Sequence, residues 1–348
     1  MLTELRGAVL TFLPVEPAAT YRHGARGSAG FRARVGRFKP HLLSASTLDI
    51  DDVDAACELA DRFEASGPSS RFVGRTVALV FFQSSTRTRL GFEAAAVALG
   101  AHAIGMEDMT VSSRSNGRVR ESLEDCAAVI SRLCDSIIVR HHETGAAARM
   151  ASKSVVPVIN AGDGWNEHPT QALIDIYAMR RGLGNLGGKS ICFGGDPRGR
   201  VIRSLIQLLR FELPKEVLFC PPPRYKVPDD ILAILEQHQI CCRVIPDIEY
   251  ALRNCDAITM APYDMSEIGE PADSDFVSPH GTPHRFVITA EKIQRTGSKS
   301  LIYHPLPRFE EVDTSCDALP NAMYFEQVRL SKFMRMAVLD RVLSTRRD

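Results

Sequence analysis

From residue 41 onward the chain alternates between two patterns. Short runs of β-branched and aromatic residues are followed by longer segments whose apolar side chains recur every third or fourth position. The segment "SASTLDIDDVDAACELADRFEASG" has capping residues, early acids and helical spacing, and Gly67 ends it. "RTVALVFF" predicts a buried strand, "TRTRLGFEAAAVALGA" a helix and "HAIGME" a further short strand. "ESLEDCAAVISRL" reads as helix, "SIIVR" and "PVIN" as strands, and "HPTQALIDIYAMRRG" as a long helix. A second series starts at "LGGKSICFGGD", a strand, and continues with helix "RVIRSLIQLLRF", strand "EVLFCPP", helix "DDILAILEQH" and strand "CCRVIP". "NCDAITMAP" and "SLIYHPLPR" are later strands, and "EQVRLSKFMRMAVLDRVLS" is the closing helix.

Apolar strands alternating with helices predict an α/β fold with sheets buried on both faces. A length of 348 residues fits two such units. The expected architecture is two doubly wound domains, each with a mostly parallel sheet flanked by helices, joined by long helices. One domain is expected at residues 41–169 plus 322–348 and the other at 170–321. The helix from Thr170 to Arg181, followed by "GLGNLGG", is the expected hinge.

Composition narrows the function classes. At 45% hydrophobic residues the chain can bury a substantial core. Lys+Arg and Asp+Glu are equal at 42 each, which argues against a general nucleic-acid surface. No apolar run approaches the roughly 20 residues needed to span a bilayer, so a cytoplasmic protein is expected. The 9 cysteines are scattered, and no Cys-x-x-Cys spacing points to a metal or redox site. They read as reduced, buried thiols. Residues 1–40 differ from the rest: Arg6, Arg22, Arg26, Arg32, Arg34, Arg37 and Lys39 face only Glu4 and Glu16. This stretch reads as a basic, disordered extension in preference to an amphipathic transit peptide.

The candidate chemistry sits where strands end. In "FFQSSTRTRLGFE" the strand stops near Gln83 and a helix begins. A helix N-terminus offers unpaired N–H groups and partial positive charge. Ser85, Thr86, Arg87 and Thr88 add hydroxyls and a guanidinium, which together suit a phosphate dianion. An ordinary Ser/Thr N-cap is the plainer alternative. Arginines among the hydroxyls weaken it. Arg140 ends "IIVR", at the strand end where open α/β sheets bind ligands. "NAGDGWNEHPTQ" puts His168 and Gln171 on one face of a helix's first turn. His168 suits polarising a carbonyl or donating a proton, with a helix-capping histidine as the alternative. "FGGDPRGRVIRS" lacks the G-x-G-x-x-G spacing of a dinucleotide site, and Arg200 is expected to point into the cleft. The prolines of "YHPLPR" fix a backbone that can aim carbonyls at a ligand.

Taken together, "SSTRTRLGFE", "VRHHETGAA", "NAGDGWNEHPTQALID", "GGDPRGRVIRSL" and "YHPLPR" resemble the aspartate/ornithine carbamoyltransferase family. "HPLPR" and "NAGDG" resemble its aspartate branch. The resemblance implies a homotrimer with active sites shared between neighbouring subunits, using carbamoyl phosphate and an amino-acid-like acceptor without metal or cofactor. It implies that Ser85, Thr86, Arg87 and Thr88, with Arg140, hold the phosphate. Thr88, Arg140 and His168 would hold the carbonyl oxygen. Gln171 and the backbone at Pro305 and Leu306 would hold the carbamoyl nitrogen, and Arg200 the acceptor's α-carboxylate. A neutral amine would attack the carbonyl carbon, with the oxyanion stabilised in place and no covalent enzyme intermediate.

Two departures from the family pattern change the expected acceptor. The aspartate branch carries a loop that reaches the neighbouring subunit's site with a serine and, four residues later, a lysine. In "SSRSNGRVRESLEDC" the serine is Ser115, the lysine position is Val119, and Arg118 and Arg120 flank it. The branch also has Thr-Arg-x-Gln after the strand written here "CDAITM", where arginine and glutamine grip the aspartate side chain. Those positions are Pro262 and Asp264. Losing an arginine–carboxylate clamp removes much of the preference for aspartate, and Asp264 would suit a cationic or hydrogen-bond-donating tail. The expectation is a carbamoyltransferase acting on an amino acid or related amine other than aspartate. One alternative is a true aspartate carbamoyltransferase of pyrimidine synthesis in which Arg118, Arg120 or a neighbour compensates. Another is a non-catalytic structural or regulatory homologue, against which the intact Arg140, His168 and Gln171 argue.

Overall fold

The computed structural model describes residues 41–345 apart from 107–113, 116–117, 120, 223–224 and 264–283. The basic extension at 1–40 lies outside the described residues. The chain opens with α1 (Ile50–Ser66), β1 (Thr76–Phe81), α2 (Thr86–Ala98) and β2 (His102–Met106). A short antiparallel pair follows, β3 (Arg114–Ser115) and β4 (Arg118–Val119). Next come α3 (Leu123–Ile130), β5 (Ser136–His141), α4 (Ala146–Ala151) and β6 (Val158–Asp163). The second series runs α5 (Pro169–Leu183), β7 (Ser190–Gly194), α6 (Arg200–Glu212), β8 (Glu216–Cys220), α7 (Asp229–Gln237) and β9 (Cys241–Val244). It closes with α8 (Ile248–Asn254), β10 (Ala257–Met260), α9 (Ala290–Thr296), β11 (Leu301–Tyr303) and α10 (Tyr324–Ser344).

Local chemistry explains the element ends. In α1, Asp49 and Asp52 form a reciprocal capping box, and Gly67 ends the helix at φ 74°. Helices α4, α8 and α9 are only 6 or 7 residues long, too short to show a helical period in the sequence.

Both main sheets are parallel, and helices flank them, as the alternating pattern predicts. The first has the order β2-β1-β5-β6 and the second β11-β10-β7-β8-β9. In each sheet the chain works outward from one strand and then returns to its other side. The reversals fall between β1 and β5 and between β7 and β10. Such a switch point opens a crevice at the carboxyl ends of the strands, because the connecting helices there depart on opposite faces. Arg140 sits at the carboxyl end of β5, and the segments that leave β1 and β7 carry Arg87 and Arg200. A register irregularity between Val139 and His141 interrupts the pairing of β5 with β6 at Arg140. Irregularities of this kind re-aim a side chain.

One apolar core is shared by both sheets. It contains Val77 and Leu79 of β1, Ile191 and Phe193 of β7, Leu173 and Tyr177 of α5, and Met334 and Leu339 of α10. Helix α10 packs on α1, α2 and α5. All nine cysteines are free, and apart from Cys241 and Cys242 they are buried. No helix among the described residues is long and apolar enough to cross a membrane.

Candidate active site

Three guanidinium groups meet at the crevice. Ser85 is the N-cap of α2, yet its side chain makes no capping bond, so the ordinary N-cap alternative is not what it does. Thr88, in the first turn, is buried. Arg140 donates from Nη1 to the Ala161 carbonyl at 3.2 Å, while its buried Nε has no partner. Arg200 points into the crevice. It donates to the Gly164 carbonyl at 3.0 Å and to Oε1 of Gln83 at 3.2 Å. The two arginines flank Gly162, which has φ 110°. A β-carbon there would lie 3.0 Å from Cζ of Arg200 and 3.1 Å from Nη1 of Arg140. The loop that presents Gly162 is held by Asn160. Its amide oxygen accepts from Gly162 N at 2.8 Å, and its Nδ2 donates to Asp163 at 2.7 Å.

No carboxylate pairs with Arg87, Arg140 or Arg200 among the described residues. Burial, and then the charges of Arg200 and Arg87, push Arg140 down to about 9. Burial also lowers Arg200, with Asp163 opposing, and lowers Arg87. Collecting cations away from water without a counterion is unfavourable, and a bound anion offsets that cost.

His168 is the N-cap residue of α5, preceding Pro169, and its ring makes no capping bond. Its backbone N–H donates to Oγ of Ser204 at 2.8 Å, and Ser204 donates to Glu167 at 2.9 Å. Glu167 also accepts from Ala45 N at 2.8 Å and from the Ser44 hydroxyl. Nδ1 of His168 lies 3.2 Å from the Thr170 hydroxyl. Burial, then Arg140, Arg200 and Arg335, hold its pKa well below 6.5. The imidazole is therefore neutral. It offers one N–H to a carbonyl oxygen and has no spare proton to give.

Gln171 is buried in the first turn of α5 and donates from Nε2 to Asp175 at 2.7 Å. Past β11, Leu306 has φ 55° and the Leu306–Pro307 peptide is cis. The Leu306 N–H is taken by Nδ1 of His304 at 2.8 Å. Pro305 has no N–H, so carbonyl oxygens are what this loop has to offer, and they suit an N–H donor. The pairing also sets the His304 tautomer, since Nε2 then donates to Glu311 at 2.7 Å.

The loop residues are a different case. Ser115 and Arg118 are backbone register partners in the β3–β4 pair. Arg120 and Asp264 lie outside the described residues. Met260 pairs with Gly194, so Pro262 leaves β10 beside the turn that carries Arg200. His141, His142 and Glu143 have ligand atoms within 4.8 Å of one another. Nδ1 of His141 is already taken by Glu143 N, and Arg149 lies 3.4 Å from Glu143. Gly162, Gln83, Ser204, Asp175 and Gln327 escaped the sequence reading. Only Asp175 left a trace there, as a lone acid inside the apolar "QALIDIYAM".

Comparison with known proteins gives this arrangement a family. Residues 40–181 match the aspartate/ornithine carbamoyltransferase carbamoyl-P binding domain, and residues 187–342 match the Asp/Orn binding domain. The aspartate carbamoyltransferase catalytic subunit of Chromobacterium violaceum is 32% identical, over 88% of this chain and 99% of that protein. The corresponding subunit of Methanocaldococcus jannaschii is 34% identical, over 87% and 97%. The solved M. jannaschii catalytic subunit superposes with a TM-score of 0.79 at 33% identity, covering 88% of this chain and 99% of that one. A Trypanosoma cruzi aspartate transcarbamoylase, solved with carbamoyl aspartate and phosphate, gives 0.76 at 28%, covering 87% and 96%. With both domain models matched in order and an identity above 30% across almost the whole of its relatives, the chain belongs to the aspartate/ornithine carbamoyltransferase family.

Proposed function

We propose that this enzyme transfers the carbamoyl group of carbamoyl phosphate to the amino group of aspartate, releasing phosphate, as in pyrimidine synthesis. The observation that carries the phosphate half is the half-buried guanidinium group of Arg140 at Gly162, with Arg87 beside it and no carboxylate paired with either among the described residues. The aspartate half is supported by the relatives, which are named aspartate carbamoyltransferases at 32–34% identity.

In this proposal Ser85, Thr86, Arg87 and Thr88 bind the phosphate with Arg140. Thr88, Arg140 and neutral His168 donate to the carbonyl oxygen and stabilise the oxyanion that forms on attack. Gln171 and the Pro305–Leu306 carbonyls accept from the carbamoyl NH2. Arg200 takes the acceptor's α-carboxylate. Since His168, held well below its usual pKa, is too weak a base to take the amine's proton, the departing phosphate receives it. The rate comes from orientation and preset charge. Residues 41–169 with 322–348 would form the carbamoyl-phosphate domain and 170–321 the acceptor domain. A trimer would let Ser115, Arg118 and Arg120 serve a neighbour's site.

One observation favours a second reading. Pro262 occupies the position at which the aspartate branch carries its carboxylate-gripping arginine, and a proline side chain has no donor. In that reading the acceptor is another amino acid or amine. Phosphate release from carbamoyl phosphate, measured with aspartate, asparagine, ornithine, 2,3-diaminopropionate and no acceptor, separates the two. Aspartate-dependent release supports the first. Release with another amine alone supports the second. Release with none, together with no detectable binding of inorganic phosphate, rejects both.

A further inference from the structure

The two arms assigned to the carbamoyl nitrogen, Gln171 and the loop at Pro305–Leu306, come from distant parts of the chain, yet one buried carboxylate holds both. Oδ1 of Asp175 accepts from Nε2 of Gln171 at 2.7 Å and from Nε2 of Gln327 at 2.6 Å. Oε1 of Gln327 in turn accepts from the His304 backbone N–H at 3.0 Å. His304 then accepts from Leu306 N through Nδ1. Asp175, Gln327 and His304 are almost wholly excluded from solvent, and Gln171 nearly so.

We propose that Asp175 is a positioning residue that fixes which end of the Gln171 amide faces the substrate and, through Gln327, holds the His304–Leu306 loop opposite it. This inference rests on the functional reading above. A primary amide presents a donor at one end and an acceptor at the other. A carboxylate oxygen that accepts leaves the amide no choice of orientation. Flipping Gln171 would set its oxygen against Oδ1 and strand both in a dry interior. With the nitrogen committed to Asp175, the oxygen is the end left for the ligand, and an oxygen is what a carbamoyl NH2 requires. The same argument applies to Gln327. Its nitrogen on Asp175 turns its oxygen to the His304 N–H. Oδ2 of Asp175 has no partner. Burial pushes the carboxyl up to about 7, against the two amides and the buried Arg335. A proton on Oδ2 leaves Oδ1 accepting both bonds, so both ionisation states keep the geometry.

The test uses the full-length enzyme carrying Asp175→Leu, Asp175→Asn, Gln327→Leu and Gln171→Ala, singly, with the Asp175→Leu/Gln171→Ala pair. Steady-state kinetics with carbamoyl phosphate is read beside calorimetric binding of inorganic phosphate. Asp175→Leu is expected to lower kcat/KM for carbamoyl phosphate by about tenfold or more, with phosphate affinity changed less than about twofold. Adding Gln171→Ala to it should cost little more, because the amide is already misaligned. Asp175→Asn keeps an oxygen at Oδ1 and should recover most of the loss. Gln327→Leu should repeat the defect in milder form, which covers the case in which Asp175→Leu does not fold. Additive losses, an equal loss of phosphate affinity, or no recovery in Asp175→Asn would overturn the proposal. A wild-type enzyme that releases phosphate with none of the amines tried and binds no inorganic phosphate would instead mark failure of the functional reading. Crystal structures of the Leu variants then decide the positioning claim: a displaced Gln171 amide or His304–Leu306 loop upholds it, and unmoved side chains defeat it.

Discussion

Arg200 donates from Nη2 to the side-chain oxygen of Gln83 at 3.2 Å, and this bond spans the crevice between the two sheets. Gln83 follows β1 of the first sheet, and Arg200 begins α6, just past β7 of the second. The guanidinium assigned to the acceptor is therefore aimed by the element that carries the phosphate motif. Gln83→Ala should raise the acceptor's KM by about tenfold, on the scale of ~1.5 kcal/mol for one hydrogen bond to a charged group. Phosphate affinity should hardly move. Steady-state kinetics and calorimetry check the pair, and an equal loss in both would place Gln83 in the phosphate site instead.

Gly162 is the point on which both arginines close. Gly162→Ala meets the Arg140 and Arg200 guanidinium groups at about 3 Å and puts a side chain at φ 110°. The backbone term alone costs about 1–3 kcal/mol. The variant should unfold at lower denaturant and bind phosphate at least tenfold more weakly. Wild-type binding in Gly162→Ala would show that the arginines do not need this close approach.

Arg140 should trade stability for binding. Arg140→Leu is expected to abolish phosphate binding while raising the stability of the anion-free protein by about 1–2 kcal/mol, because a desolvated cation without a counterion is removed. Phosphate should also bind less tightly in alkali. The folded-state pKa of Arg140 is pushed down to about 9, so its charge is complete below that pH and lost above it. A bound anion pulls the value back up, so the weakening begins near pH 9 and continues until the pH reaches the higher pKa of the bound form. Calorimetry from pH 7.5 to 10.5 tests this, and flat affinity throughout would contradict it.

His168 should make the fold acid-sensitive. Its folded pKa lies well below 6.5, so below that pH the unfolded chain takes up a proton that the folded chain refuses. Its contribution is present above about pH 6.5 and is lost as the pH falls, at up to about 1.4 kcal/mol per unit. Urea unfolding at pH 5 and 7 should show a smaller difference for His168→Gln than for the wild type. NMR of labelled imidazole should find the ring neutral at pH 6; a protonated ring there would restore a general-acid role.

Much of this was legible in the chain. The alternation "TVALVF" then "TRTRLGFEAAAVA" announces strand, anion-ready turn and helix, because strand period, helix period and N-terminal polarity are local properties. The family motifs carried the phosphate assignment further than spacing could. The comparisons favour aspartate over the changed acceptor expected from Pro262 and Asp264, and the latter residue lies outside the described structure. Short helices such as Ala290–Thr296 were missed because 7 residues hold too few turns to show a period.

By itself the sequence determined the order of the sheet strands and the longer helices, the parallel and buried character of the sheets, and the polar residues at the strand ends. All of these follow from periodicities of two and 3.6 residues and from backbone groups that need partners within a turn. Tertiary structure alone decided which strand ends share a crevice, since that depends on where each sheet's order reverses. It also decided that Arg140 and Arg200 meet at Gly162, and that Asp175 joins Gln171, four residues away, to Gln327, 152 residues away. Contacts of that span leave no periodic trace, because long-range packing selects them only after the local elements exist.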